Sequence, residues 1–252
     1  MGKIAGKSGK DDINDPRREF LVRMLTTGAF VGGTGWNFDA LASWFGRTPS
    51  KMPEGKSIFD MKGQVLVDGY PASYGTVITA ENKVTTGPNS YLVAAVGDGA
   101  FIIRENSELH LGTTGKKLLV RSMQLVTGGL LTVFGHRGSD EMANIATPTA
   151  TIGIRGTGFY TEVDPEKTYF CTCYGLTQVA SAIDKKEAQR IASQHHDAPK
   201  YILANPDSGK RIVPAPFINH TDLELMTIEA LCGRKVPFAI PGDDYEGPRR
   251  NY

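Results

Sequence analysis

Cys171-Thr-Cys173, followed by the pair His195-His196, is the set of residues in this chain best suited to chemistry. On a strand, residues two apart face the same way, so both sulfurs can converge on one point. Two thiolates with one or two imidazoles suit zinc or copper, which accept soft sulfur and borderline nitrogen ligands. The expected ligands are therefore Cys171, Cys173, His195 and His196. The spacing is not that of a zinc finger. Three plainer readings stand beside it. The cysteines can be small buried residues of a strand, or one of them can pair with Cys232. The histidines can serve a helix C-terminus, whose dipole favours cations. A disulfide between Cys171 and Cys173 themselves would be strained.

Other groups offer less. Ser193, His195 and Asp197 sit together, but catalytic triads assemble from distant segments, and no Gly-x-Ser-x-Gly elbow accompanies them. Arg155-Gly-Thr-Gly158 could cradle an anion with its backbone amides, yet no Lys-Ser/Thr and no helical pattern follow. His136 and His220 are isolated, and His220 is expected to cap a helix sooner than to join a metal site. Asp98 and Asn106 fall at turn positions, where such side chains bond backbone rather than calcium. No catalytic site emerges, and the chain is read as a non-enzyme.

The elements that must position these groups read as short strands. Gln64–Val67 ends in Asp68-Gly69, and Tyr91–Val96 joins Ala100–Arg104 through Gly97-Asp-Gly99. Both are hairpin signals, since Gly and Asp tolerate positive φ. Glu108–Leu111, Leu118–Leu125, Leu130–Phe134, Thr149–Ile154 and Phe159–Val163 continue the series, and Lys200–Ala204 adds a short strand. Such spacing predicts an all-β fold, an antiparallel β-sandwich or roll. Past Ile183 the pattern changes. Asp184-Lys-Lys-Glu187 has capping-box spacing and predicts a helix to about Gln194; Thr221-Asp-Leu-Glu224 predicts a second one ending near Cys232-Gly233. A small α-containing C-terminal extension is thus expected over 184–241, with a disordered tail at 242–252.

Of 28 basic and 27 acidic residues in the chain, residues 1–42 hold six and five, leaving 22 of each in the remainder. A body without net charge argues against nucleic acid as a partner.

The N-terminus resembles a twin-arginine export signal. Arg17, Arg18, Phe20 and Leu21 supply its R-R-x-F-L pattern, a weakly apolar stretch runs from Met24 to Trp36, and Ala40-Leu-Ala42 offers a small-x-small cleavage site before Ser43. Between Arg23 and Asp39 lie 15 uncharged residues. At ~1.5 Å each they reach about 22 Å of a ~30 Å bilayer core, so cleavage is expected over anchoring, and membrane contact only if the segment stays uncleaved. Residues 1–42 are read as signal and 43–57 as linker.

Five further blocks stand in order: Gly63-Gln-Val-Leu-Val-Asp-Gly69, Thr86-Gly-Pro-Asn-Ser90, Asp98-Gly-Ala100, Asn106-Ser-Glu-Leu109 and Thr147-Pro-Thr-Ala-Thr-Ile-Gly-Ile-Arg-Gly-Thr-Gly-Phe159. Together they resemble the FecR domain, the periplasmic β-domain of ferric-dicitrate-type regulators, over about residues 58–180, and residues 58–183 are taken as that domain. The resemblance implies a periplasmic, non-catalytic module that binds or senses, with another envelope protein as partner. It also implies that Arg155-Gly-Thr-Gly158 is a strand-bend-strand element whose arginine ties loops together. A membrane regulator of this kind would need a cytoplasmic effector, for which residues 1–16 are too short, so that reading ranks last. A zinc or copper protein remains the second reading.

Overall fold

The computed structural model describes residues 51–113, 119–136, 142–207 and 209–238. The signal residues Arg17, Arg18, Phe20, Leu21, Ala40 and Ala42 and the tail 242–252 lie outside the described residues.

Among the described residues, fourteen strands form one sheet. They are β1 (Ile58–Lys62), β2 (Val65–Val67), β3 (Tyr70–Pro71), β4 (Lys83–Thr86), β5 (Tyr91–Val96), β6 (Gly99–Ile103), β7 (Glu108–Gly112), β8 (Ser122–Phe134), β9 (Ala143–Ala146), β10 (Ala150–Val163), β11 (Lys167–Ser181), β12 (Ala188–Ser193), β13 (Lys200–Leu203) and β14 (Ile212–Pro214). One helix, α1 (Asp222–Leu231), follows. The main path runs β14-β13-β11-β10-β9-β8-β7-β4-β2-β3, with β1, β5, β6 and β12 attached beside it. Pairing is antiparallel except between β8 and β9, so the all-β expectation holds, as an open mixed sheet. Pro71 and Pro214 end the two outermost strands, where a missing N–H costs no ladder bond.

The hairpin chemistry is as the sequence predicts. Asp68 and Gly69 take φ of 52° and 85° at the β2–β3 turn, and Asn89 and Asn106 are also left-handed at 53°. In two places, however, a pair of expected strands is a single long one. β8 runs through Gly128-Gly129, pairing β7 with its first half and β6 and β10 with its second. Gly128 makes the bend possible: its φ is +86°, and a Cβ there would lie 2.1 Å from Ser107 Oγ.

β10 likewise continues through Arg155-Gly-Thr-Gly158, with its register against β11 shifting between Arg155 and Gly158. The shift changes the parity of the buried positions. Before it Ile152 and Ile154 enter the hydrophobic cluster; after it Phe159 and Val163 do. The glycine-rich block is therefore a face-switching bulge and not an anion cradle. Arg155 is exposed and donates from Nε to Met142 Sδ at 3.2 Å, beside the start of β9. On the inner face Phe101, Phe134, Phe159 and Phe170 form a chain of ring contacts at 5.4–6.5 Å.

The helix predicted from Asp184 is instead the strand β12, paired along β11 from Gly175 to Ala180. Asp184 makes a turn: its carbonyl accepts from Glu187 N at 3.0 Å and its carboxylate from Lys186 N at 3.1 Å. The Glu187 carboxylate accepts from the backbone of Arg211 and Ile212, and so holds β14 rather than capping a helix. Long β11 offers an unpaired edge, and six residues with Ile191 and Ser193 facing inward gain more as a strand there. β12, β13 and β14 thus join the same sheet as the preceding domain. The second helix forms as predicted. Thr221 is its N-cap, with a reciprocal capping box to Glu224.

Candidate functional site

The outer face of β11 carries the chemistry. Phe170 turns into the hydrophobic cluster, while Cys171 and Cys173, both fully buried, turn away from it beside Tyr160 and Tyr169. Three segments converge on the two sulfurs: β11 itself, the turn after β12, and the residues leading into α1.

The turn after β12 is held by its own side chains. Asp197 Oδ2 accepts from Gln194 N at 3.0 Å, and Asp197 N donates to Ser193 Oγ at 2.8 Å. His196 adopts φ of 54°, and its N–H donates to the Cys173 carbonyl at 2.7 Å. A left-handed residue without a glycine's freedom costs conformational energy, and here the result is to aim the imidazole inward. Asn219, at φ of 59°, does the same for His220. Helix α1 is fixed by Arg104, whose guanidinium meets Glu224 at 2.6 Å and the Asn219 carbonyl at 3.0 Å. Glu224 is the reciprocal member of the capping box, so one carboxylate serves both helix and sheet.

The resulting cluster is Cys171, Cys173, His196 and His220, all buried, with one ligand-type atom from each lying within 4.8 Å of the others. His196 Nδ1 stands 3.7 Å from Cys171 Sγ and 3.1 Å from His220 Nε2. The far nitrogens are occupied by acceptors. His196 Nε2 meets Asp222 Oδ1 at 2.8 Å, and His220 Nδ1 donates to the Ile218 carbonyl at 2.7 Å. Those acceptors place the outer protons, so the inner nitrogens face the sulfurs. Aromatic rings close the shell. Phe217 lies 4.5 Å from both imidazoles, and Tyr160 stacks on His220 at 4.6 Å.

The electrostatics follow from this geometry. Burial alone would push the Cys171 thiol up, but hydrogen bonds from Cys173, His196 and His220 outweigh it and hold Cys171 well below the ordinary thiol range. Cys173 goes the other way, raised by burial and by the neighbouring Cys171 sulfur. Burial disfavours the His196 imidazolium, yet the bonds to Asp222 and Cys171 prevail and raise it to about 9. Asp222, which burial would raise, is held well below the usual carboxylate range by His195 and His196.

Of the four ligands expected from sequence, Cys171, Cys173 and His196 come together. His195 does not join them. Its Nε2 meets both Asp222 oxygens at 2.9 Å, and its ring packs on Phe238 at 4.5 Å. His220 takes the fourth position, while Thr221 does the capping expected of that histidine. All three cysteines are free, Cys232 included, and the histidine pair lies in a turn and not at a helix end. A signal for His220 existed in the sequence: it immediately precedes a capping box, which fixes its backbone at a helix entrance.

With this geometry in place, comparison with known proteins places part of the chain. Residues 82–172 match the family model described as FecR protein. That stretch contains the last four of the five motif blocks and ends within the Cys-x-Cys pair; His196 and His220 lie beyond it. Two crystal structures of a candidate anti-sigma factor from Parabacteroides distasonis ATCC 8503, at 2.50 Å and 1.65 Å resolution, are similar over 53% of this chain and 58% of that one. The identities are 10% and 9% and the TM-scores 0.43 and 0.42, too loose to carry topology or role across. The chain spans under two thirds of that protein's length. Among curated proteins, none matches this sequence. Among the described residues, no helix is long and apolar enough to cross a membrane.

Proposed function

We propose that this protein is a non-catalytic binding and sensing module of the bacterial cell envelope, exported to the periplasm by the twin-arginine route and working by contact with another envelope protein. The observation that carries the reading is the FecR match over residues 82–172, which takes in four of the five blocks that the sequence displays in order. The twin-arginine pattern at Arg17-Arg18 supports export, and cleavage before Ser43 would release the sheet domain into the periplasm. The turns carrying Asn89, Asp98 and Asn106 and the outermost strands β3 and β14 are the surfaces offered to a partner. Tyr70, in β3, is 77% exposed, a large apolar ring at the end of the sheet path.

The test is made in cells. Periplasmic protein should begin at Ser43, and in-cell cross-linking through a photoreactive residue at Tyr70 or Asn89 should capture one defined envelope protein. Cytoplasmic retention of the full-length chain, or cross-links only to abundant bystanders, would overturn the reading.

A further inference from the structure

We propose that Cys171, Cys173, His196 and His220 form a closed tetrahedral zinc site that pins the segment entering α1 to the outer face of β11. The site does not depend on the partner-binding reading, since it rests on side-chain geometry alone.

The distances suit the ion. Zn–S bonds of ~2.3 Å and Zn–N bonds of ~2.0–2.1 Å give tetrahedral edges of ~3.3–3.8 Å. The His196 Nδ1 to Cys171 Sγ separation is 3.7 Å and the nitrogen–nitrogen separation 3.1 Å, and no two ligand atoms exceed 4.8 Å. Loading therefore requires side chains to close by about an ångström at most, with no movement of strands.

The supporting shell is already built. A metal-bound imidazole needs its other nitrogen to donate to an acceptor, which fixes the tautomer and the ring plane. Asp222 does this for His196 and the Ile218 carbonyl for His220. The inner nitrogens of both imidazoles and the two sulfurs point into one buried space walled by aromatic rings. Zinc satisfies all four donors at once.

Ion identity follows from charge and access. Two thiolates neutralise a divalent ion, so the loaded centre carries no net charge into buried surroundings; Cu(I) would leave one buried negative charge. All four ligands are buried, so no coordination position is open to a substrate, and the site is structural and not catalytic. The alternative group of His195, His196 and Asp222 offers only three ligands, and its carboxylate already accepts from both histidines.

The experiment uses full mature protein, stripped with a chelator under reducing conditions and titrated with zinc against a chromophoric competitor, then with cobalt. The expected result is one equivalent of zinc, with a cobalt form showing tetrahedral ligand-field bands and thiolate-to-cobalt charge transfer. Cys173→Ser and His220→Gln should lose stoichiometric binding, whereas His195→Gln should retain it. Asp222→Asn should weaken it by ~10–100-fold. Failure of the reduced wild-type protein to take up zinc overturns the proposal. So do a cobalt spectrum without thiolate bands, uptake that survives His220→Gln, and displacement of zinc by equimolar Cu(I). If a variant is shown by circular dichroism to be unfolded, the wild-type cobalt spectrum decides alone.

Discussion

The three cysteines share a side chain and differ in everything around it. Cys171 is held low by its neighbours, whereas Cys232, the C-cap of α1, is pushed up to about 11, chiefly by burial, with Arg234 only partly opposing it. Only the thiolate reacts, so a rise of two units from the ordinary thiol value leaves ~100-fold less of it at pH 8. Alkylation of Cys232 by iodoacetamide should therefore run about 100-fold slower than that of a free thiol at pH 8, and accelerate as pH rises toward 11. Peptide mapping of the labelled protein reads this directly, and labelling at the rate of free cysteine would show that burial does not govern this thiol. None of this contrast is visible in the sequence. The Cys-x-Cys spacing was legible, because a strand's period of two forces both side chains to one face. What neighbours each sulfur meets depends on residues 25 to 50 positions away in the chain, and only the fold supplies them.

At the level of elements, α1 is the part that depends most on a few polar contacts. It is ten residues long and is held at its N-terminus by Thr221, Glu224 and Arg104. Replacing the cap by Thr221→Ala should destabilise the protein by ~1 kcal/mol, which for a domain of this size lowers Tm by roughly 2–4 °C. A thermal melt unchanged within a degree would mean that packing alone positions the helix. This helix was readable in advance, since Thr-x-x-Glu, an apolar run and Cys-Gly leave few alternatives. Asp184-Lys-Lys-Glu187 shows the opposite case. An Asx turn and a capping box share the same first residue and the same spacing, and the six residues that follow are too few to show a helical period. Pairing with the free edge of β11 decided the matter, and a strand edge formed by residues 175–180 cannot be seen from residues 184–194. The same blindness hid the continuity of β8 and β10. A glycine pair reads as a turn when taken locally, yet in both strands it marks a bend through which pairing persists.

For the molecule as a whole, the cluster matters because it ties segments that chain connectivity leaves far apart. Cys171 and Cys173 belong to the long strand β11, and His220 to the approach to α1, 47 residues beyond Cys173. That helix rests on β8, β6 and β5 on the outer face of the sheet. An ion held by both ends fastens α1 to β11. Any ligand that binds only the native state stabilises it by RT ln(1 + [L]/Kd), about 2.7 kcal/mol at 100 times Kd. With Tm moving roughly 2–4 °C per kcal/mol at this size, saturating zinc should raise Tm by about 5–10 °C, and a chelator should reverse it. Hydrogen exchange localises the effect. Amides of residues 194–207 and 209–231 should gain protection with zinc, whereas those of β2 and β4, near the opposite end of the sheet path from β11, should hold theirs in either state. A gain spread evenly over all strands would mean that zinc acts on global stability without fastening the helix, and no gain at all would leave the four side chains as a metal-free polar cluster.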